Sequence, residues 1–172
     1  MPALKSGDAF PCDVLFKYIP WTEEKKGFST CGAPMPYDAS KEWSNKKVVL
    51  VSVPGAFTPT CSATHLPDYI AKLRELKTKG VDIVAFVAYN DPFVMSAWGK
   101  ANGVTGDDIL FLSDIESKFS SSYGWTAHEG RTGRYAMIID NGKVVYAENE
   151  PSIPNVTVSS SHSPFFPGIQ LD

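Results

Sequence analysis

The stretch from Pro54 to Cys61 combines residue types that could carry chemistry, and it follows an apolar, largely β-branched run at Val48–Val53. Such a run predicts a strand buried on both faces, and the apolar spacing after Cys61 predicts a helix. Cys61 would then lie in the first helical turn, where free backbone N–H groups and the helix dipole favour an anion. We therefore expect Cys61 to act as a nucleophilic thiolate.

Thr58 is the second candidate in this stretch, because it lies about one helical turn before Cys61. Its hydroxyl is predicted to point at the sulfur or at a substrate atom beside it. Pro54 and Pro59 restrict the loop, and Pro54 is expected to shield the sulfur from bulk water.

The elements that position this loop form a strand-helix-strand unit. The strand at Val48–Val53 is followed by helical spacing from Leu66 to Leu76 and by a second buried run at Val81–Ala88. This order predicts a βαβ unit with parallel strands. Pro67 interrupts the helical pattern, so we expect a kink there or a first turn that stands apart.

The second half of the chain predicts a further helix and a hairpin. Asp91-Pro92 is a helix N-cap followed by proline at the first helical position. Asn141-Gly142, between the apolar runs Tyr135–Ile139 and Lys143–Tyr146, is a strong hairpin signal. The fold class is therefore α/β, with a mixed central sheet flanked by helices.

The two ends of the chain differ from this regular middle. Residues 1–45 are irregular and proline-rich, and we expect an N-terminal extension with strands at Val14–Tyr18 and near Phe28–Gly32. The last segment, 159–172, is a Ser/Pro/Phe tail whose two prolines and glycine exclude a long helix. We predict one domain over residues 1–158 and an extended or disordered tail after it.

Composition excludes several classes of protein. With 43% apolar and 20% charged residues, the 172-residue chain is not a wholly disordered one. The net charge of −3 disfavours binding to nucleic acid, and the apolar runs are too short for a membrane span. Cysteines and histidines do not cluster, so neither a metal site nor a disulfide scaffold is predicted.

We expect a cytoplasmic location, with peroxisome and mitochondrion as alternatives. Residues 1–10 lack the pattern of a signal peptide. The final Gln170-Leu171-Asp172 differs from the Ser-Lys-Leu peroxisomal address.

The spacing Pro54-x-x-x-Thr58-x-x-Cys61 resembles the active-site signature of the peroxiredoxins. The longer string Pro-Gly-Ala-Phe-Thr-Pro-Thr-Cys-Ser, followed by His65-Leu66-Pro67, resembles the peroxiredoxin-5 subfamily in particular. Asn90-Asp91 and Arg134-Tyr135-Ala136-Met137 agree as well, and the resemblance covers about residues 3–150.

This resemblance implies a thioredoxin fold and a thiol-dependent peroxidase acting on hydrogen peroxide and alkyl hydroperoxides. Cys61 would be oxidised to a sulfenic acid, without metal, haem or flavin. Thioredoxin is the expected reductant, with glutathione or glutaredoxin as alternatives, and a homodimer is expected. The biological role would be antioxidant defence and redox homeostasis.

The resemblance also assigns substrate-binding residues. Peroxide would be held by the Thr58 hydroxyl and by the backbone N–H groups of Thr60 and Cys61. Arg134 matches the arginine of the family, whose permanent cation holds the thiolate and stabilises charge on the leaving oxygen. Arg131 is the rival candidate for this role.

Two side chains, Cys31 and His65, keep alternative interpretations. Cys31 matches the region of a resolving cysteine in some fungal relatives, or it is a structural or spare thiol. Cys12 is interpreted as inert. His65 lies one turn beyond Cys61 and is either a packed, hydrogen-bonded structural histidine or a group that tunes the field at the sulfur.

Two further functions are alternatives to the peroxidase. A chaperone or protein-binding role would be motivated by Phe165 and Phe166 in the tail. A disulfide reductase of the thioredoxin type is disfavoured, because the chain has no Cys-x-x-Cys. The chain also departs from the resembling family after Glu150-Pro151, where a helix is usual and the Ser/Pro/Phe tail stands instead.

Overall fold

A seven-stranded mixed sheet forms the centre of the protein in the computed structural model, which describes residues 1–163. The strands lie in the order β2-β1-β5-β4-β3-β6-β7. In chain order they are β1 Leu15–Tyr18, β2 Met35–Asp38, β3 Lys47–Ser52, β4 Ile83–Ala88, β5 Ile109–Ser113, β6 Tyr135–Asp140 and β7 Lys143–Asn149. The α-helices are α1 Ala39–Glu42, α2 Leu66–Thr78, α3 Pro92–Ala101 and α4 Lys118–Ser122.

The middle of the sheet is parallel, as the strand-helix-strand order predicts. β3 pairs with β4 and β4 with β5, both in parallel, and α2 and α3 form the two crossovers. β6 is antiparallel to β3 and to β7. Asn141 and Gly142 both have positive φ, of 49° and 72°, which is the conformation that makes Asn-Gly a hairpin turn. The predicted mixed sheet is confirmed.

The two faces of the sheet bury different cores, because alternate residues of a strand point to opposite sides. On β3, Val49 and Val51 pack on the face covered by α2 and α3. Val48 and Leu50 pack on the opposite face, together with Trp43. Cys61 belongs to the first core, so the predicted nucleophile sits between the sheet and the two longest helices.

The N-terminal extension adds two strands to one edge of the sheet. β1 falls where the sequence predicts a strand, but the second strand is β2, and the prediction of a strand near Phe28–Gly32 is wrong. A turn occupies that position, with the Thr30 N–H donating to the Gly27 carbonyl. The Thr30 hydroxyl donates to the same carbonyl at 2.8 Å, and this local side-chain hydrogen bond favours the turn over an extended segment. Within residues 1–163, none of the helices is both long and apolar enough to cross a membrane.

Packing continues beyond residue 158, where the sequence places the end of the domain. Ser159, Ser161 and Ser163 are buried, and Ser159 and Ser161 make hydrogen bonds to Glu150 and Asp68. These hydrogen bonds to carboxylates compensate for the burial of the polar serines. Phe165 and Phe166 lie outside the described residues.

Candidate active site

Cys61 is held in the first turn of a helix that starts directly after the loop following β3. The helix begins at Pro59 and Cys61 is completely buried. Residues Cys61–His65 form a single π-helical turn, closed by the Leu66 N–H donating to the Cys61 carbonyl. Pro67 follows at once, and it lacks the N–H that would continue the α-helical ladder. The interruption predicted at Pro67 therefore takes the form of a π turn that carries the cysteine.

Arg134 reaches the sulfur from the position directly before β6, the strand that pairs with β3. Its side chain is only 2% exposed. Nη2 donates to Cys61 Sγ at 3.4 Å, Nη1 donates to His65 Nδ1 at 2.9 Å, and Nε donates to the Ile153 carbonyl at 2.8 Å. Three hydrogen bonds thus fix the planar guanidinium, and its buried positive charge lies beside the sulfur.

His65 connects this arginine to the end of the described chain. Its Nε2 bonds the Ser159 carbonyl at 2.9 Å, and a carbonyl only accepts, so Nε2 carries the proton and Nδ1 accepts from Arg134. Burial, and secondarily the nearby positive charge of Arg134, lower the pKa of His65 to about 4, against the opposing effect of the Ser159 carbonyl. His65 is therefore neutral at pH 7. The ring is a packed, hydrogen-bonded histidine, and it also holds the arginine that touches Cys61.

The loop before the helix contributes Pro54 and Thr58. Pro54 is buried and Thr58 is half-buried. Thr58 Oγ1 donates to the Gly55 carbonyl at 2.7 Å, so its lone pairs stay available to accept a hydrogen bond from a substrate. The loop is tied to the end of β4 by the Ala56 N–H, which donates to Asn90 Oδ1 at 2.8 Å.

Thr60 and Phe57 complete the surroundings of this loop. Thr60 is half-buried, and its carbonyl accepts a hydrogen bond from Thr64 Oγ1 at 2.9 Å. Phe57 adopts a left-handed conformation, with φ of 61°, and is 52% exposed. A bulky residue in that region is strained, and the sequence carried no signal of it.

Arg131, the rival of Arg134, flanks the loop without reaching the sulfur: its Nη1 would lie 3.1 Å from a Cβ added at Gly55. Its guanidinium stacks over the Tyr89 ring, with 4.8 Å from Cζ to the ring centroid, and Nε lies 3.8 Å from Glu129 Oε2. Within residues 1–163, Cys61 receives a hydrogen bond from Arg134 and none from Arg131.

The other two cysteines are separate from this cluster. Cys12 and Cys31 are exposed, and all three cysteines are free thiols. The loop that carries Cys31 is attached to the end of α3, where Lys100 Nζ donates to the Thr30 carbonyl at 2.5 Å. The structure therefore brings Cys61 together with Arg134, and it does not join Cys31 to them.

The segment after β7 supplies the contacts that sequence reasoning missed. Ile153 and Ser159 offer backbone carbonyls to Arg134 and His65. The Glu150 carboxylate accepts hydrogen bonds from Thr157 and Ser159. The available signal was a glutamate followed by several serines and a threonine, but the segment lacks the periodicity that marks packed elements. Residues 1–163 contain no group of three or more His, Cys, Asp or Glu side chains placed to hold a metal ion.

Comparison with known proteins shows likeness over almost the whole chain. The profile of the Redoxin family matches residues 5–162. A putative peroxiredoxin of Emericella nidulans is 61% identical over 163 residues, which span 95% of this chain and 97% of that protein.

Solved structures show the same likeness in three dimensions. Reduced Prx3 of Vibrio vulnificus in complex with hydrogen peroxide has a TM-score of 0.77 at 38% identity, covering 93% of this chain and 96% of its own. Peroxiredoxin 5 of Alvinella pompejana has a TM-score of 0.66 at 34% identity, covering 87% and 92%. Both likenesses concern the complete domain rather than a local motif.

Proposed function

The chain belongs to the peroxiredoxins, thiol peroxidases of thioredoxin fold within the Redoxin family, and we propose that Cys61 is its peroxidatic cysteine. Its substrates are hydrogen peroxide and small alkyl hydroperoxides. The observation that carries the proposal is the contact of the buried Arg134 guanidinium with Cys61 Sγ at 3.4 Å.

The proposed reaction begins with attack of the Cys61 thiolate on the hydroxyl oxygen of the hydroperoxide. The S–O bond forms as the O–O bond breaks, and the leaving alkoxide or hydroxide takes up a proton to give alcohol or water. Cys61 is thereby oxidised to a sulfenic acid and the peroxide is reduced. Thiolate formation releases one proton and the leaving group takes up one, so protons balance.

Each neighbour of Cys61 has a proposed part in this step. Thr58 Oγ1 already donates to Gly55, so it accepts the hydrogen bond of the peroxide O–H. The backbone N–H groups of Thr60 and Cys61 bind the peroxide oxygens. Arg134 stabilises the charge that moves from sulfur to the leaving oxygen, and Pro54 excludes water from one side.

The test is turnover of hydrogen peroxide by the purified protein with thioredoxin, thioredoxin reductase and NADPH. Cys61→Ser is expected to abolish NADPH oxidation, because the hydroxyl of serine is not ionised at pH 7. Cys12→Ser, at an exposed thiol, is the matched control and is expected to keep turnover. Full turnover by Cys61→Ser would show the proposal to be wrong. Replacing thioredoxin by glutathione with glutaredoxin identifies the reductant.

We further propose that Cys31 resolves the sulfenic acid. Its thiol would attack Cys61 sulfur, form the disulfide and release water, and thioredoxin would then reduce that disulfide. A disulfide requires Cα atoms within about 7 Å, and Cys61 is buried while Cys31 is exposed. The π turn must therefore unwind, and its non-α geometry before Pro67 supports a small cost for this unwinding.

Mass spectrometry after one equivalent of peroxide tests the resolving role. A Cys31–Cys61 crosslink is expected in the wild type, and a persistent sulfenic or sulfinic Cys61 in Cys31→Ser. Non-reducing electrophoresis shows whether the link lies within one chain or between two. Uncrosslinked Cys61 in the oxidised wild type would instead establish a one-cysteine cycle.

We also propose a homodimer, supported by two large apolar side chains beside the active-site loop. Phe57 and Phe93 are 52% and 48% exposed, and a hydrogen bond between Ala56 and Asn90 joins their segments. Sedimentation equilibrium should give twice the chain mass, and Phe93→Ser should weaken association. A wild type that stays monomeric at high concentration would contradict this assignment.

We propose that the protein is located in the cytoplasm, with the peroxisome and the mitochondrion as alternatives. Microscopy of the full chain tagged at either end in turn distinguishes the three. Colocalisation with a peroxisomal or mitochondrial marker would overturn the cytoplasmic assignment.

A further inference from the structure

The segment 150–163, here named the C-terminal strap, leaves β7 beside Arg134 and returns over α2. At its start, the Glu150 N–H donates to the Arg134 carbonyl at 2.8 Å. At its far end, Asp68 of α2 accepts a hydrogen bond from the Ser161 N–H at 2.9 Å and lies 3.0 Å from the His162 ring. The strap is therefore attached at both ends, and its middle part passes the active site.

The Glu150 carboxylate folds the middle of the strap back on itself. Oε1 accepts from the N–H groups of Thr157 and Ser159 at 2.6 and 2.9 Å and from Ser159 Oγ at 2.7 Å, and Oε2 accepts from Thr157 Oγ1 at 2.7 Å. The residue is almost completely buried. Burial alone would raise the pKa of Glu150, but these hydrogen bonds outweigh it and lower the pKa. The carboxylate is thus ionised at neutral pH and accepts four hydrogen bonds from two residues.

The strap also provides the carbonyls that hold the active-site arginine. Ile153 O accepts directly from Arg134 Nε. Ser159 O accepts from His65 Nε2 and from the Tyr69 hydroxyl, and His65 in turn accepts from Arg134 Nη1. Both hydrogen bonds that orient the guanidinium toward Cys61 therefore depend on where the strap lies.

We propose that Glu150 is a positioning residue for Arg134. Its carboxylate fixes the turn between Ile153 and Ser159, so the two carbonyls hold Arg134 at the sulfur. Without the carboxylate, the strap keeps Asp68 and the hydrogen bonds that Tyr146 and Tyr69 donate to the Val158 and Ser159 carbonyls. The turn between Ile153 and Ser159 loses the four hydrogen bonds that shape it, so Ile153 shifts and Arg134 loses its orientation. The inference rests on the proposed function, since it assumes that Arg134 acts on Cys61.

The first measurement is the rate constant for oxidation of Cys61 by hydrogen peroxide, followed by stopped-flow tryptophan fluorescence. Glu150→Gln has nearly the same shape, but an amide N–H₂ replaces one of the two carboxylate oxygens, so the side chain can no longer accept all four hydrogen bonds. The rate is expected to fall between about tenfold and a hundredfold, the usual cost of a misplaced catalytic group. Glu148→Gln, at an exposed glutamate near the end of β7 and two residues before Glu150, is the matched control, and its rate is expected to stay within about twofold.

A double-mutant cycle separates positioning from general destabilisation. If Glu150 acts through Arg134, adding Glu150→Gln to Arg134→Lys costs no further rate. If Glu150→Gln does not fold, Thr157→Val replaces it in the test, because it removes only the hydroxyl that donates to Glu150 Oε2. The oxidation rate is then expected to fall about threefold. A rate for Glu150→Gln equal to that of Glu148→Gln, or fully additive losses in the cycle, would overturn the proposal.

A second readout keeps this test independent of peroxidase activity. Alkylation of Cys61 by iodoacetamide, read by peptide mass spectrometry against pH, reports how well the cation beside the sulfur stabilises the thiolate. Glu150→Gln is expected to move the alkylation profile to higher pH, and Glu148→Gln is expected to leave it in place. A wild-type protein that does not react with peroxide would refute the proposed function. The change in the alkylation profile would still show whether Glu150 positions Arg134.

Discussion

Two regions of the molecule hold Arg134. One contributes side chains, and the other contributes backbone carbonyls. The loop and helix start, residues 54–65, contribute side chains: Cys61 Sγ and His65 Nδ1 both contact the guanidinium. The C-terminal strap contributes backbone carbonyls, from Ile153 directly and from Ser159 through His65. A side chain that acts is specified by its residue type, whereas any residue supplies a carbonyl. Function can therefore depend equally on a recognisable motif and on a segment with no motif.

The largest effect is expected where the two regions meet, in Arg134→Lys. Lysine keeps the charge but lacks the planar fork that serves three acceptors at once. Loss of such a preorganised donor typically costs about 10²- to 10³-fold in rate, and stopped-flow oxidation by hydrogen peroxide measures it. Arg74→Lys, at an exposed position on α2, is the control, and a change within about twofold is expected. Equal losses in both variants would mean that the contact with Cys61 does not matter.

His65→Gln should change how stability responds to acid. His65 is neutral and buried, with a pKa of about 4, against about 6.5 in the unfolded chain. The unfolded state therefore binds the proton first, and the free energy of unfolding falls by up to about 3 kcal/mol as pH drops from about 6.5 to 4. Above that window His65 contributes no pH dependence. Glutamine does not titrate, so this part of the acid loss should disappear.

Denaturant titrations at pH 7 and pH 4.5 give the comparison for His65→Gln. Asp68 and Glu150, the carboxylates that face His65, are present in both proteins. The loss of unfolding free energy from pH 7 to pH 4.5 therefore differs between the two proteins only by the contribution of the histidine. His128→Gln, at an exposed site, should keep the wild-type slope. The same acid loss in His65→Gln as in the wild type would place its origin in other groups.

Gly133→Ala should disturb the residue that precedes Arg134. An added Cβ would lie 2.8 Å from the Trp125 carbonyl oxygen, which is backbone and cannot rotate away. We expect a loss of about 1–3 kcal/mol in the free energy of unfolding, as for other overpacked sites, and slower oxidation by peroxide. Gly27→Ala, whose Cβ would meet the side chain of Thr30 at 3.3 Å in an exposed loop, should cost less than about 0.5 kcal/mol. Similar losses at both glycines would indicate that the backbone around Trp125 yields freely.

Most of the fold and the local half of the site could be predicted from the sequence, since both depend on short-range patterns. Buried runs gave β3 and β4, Asp91-Pro92 gave the start of α3, and Asn141-Gly142 gave the hairpin. The loop-helix spacing placed Cys61 in the first helical turn. The short β2 carries no such pattern, because Pro36 interrupts its four residues.

The strap could not be predicted, for a physical reason. Serine normally indicates an exposed or disordered segment, since its hydroxyl is well solvated in water. Ser159 is buried only because Glu150 satisfies its N–H and Oγ–H, while its carbonyl is taken by residues 90 and 94 positions away. No local spacing encodes partners at that distance.

The smallest predicted effect tests whether the strap is fastened separately from Arg134. Tyr69→Phe removes the hydroxyl that donates to the Ser159 carbonyl at 2.8 Å, while His65 still donates to the same oxygen. No buried acceptor is left unpaired, so the free energy of unfolding should fall by about 1 kcal/mol, the usual value of one hydrogen bond. Peroxide oxidation should change less than about twofold, because Ile153 and His65 keep the guanidinium in place. Tyr18→Phe, on the distant β1, is the control for loss of a phenolic hydroxyl and should be neutral in both assays. A tenfold slower oxidation in Tyr69→Phe would mean that the strap is held at the active site chiefly through α2, and the role assigned to Glu150 would pass to Tyr69.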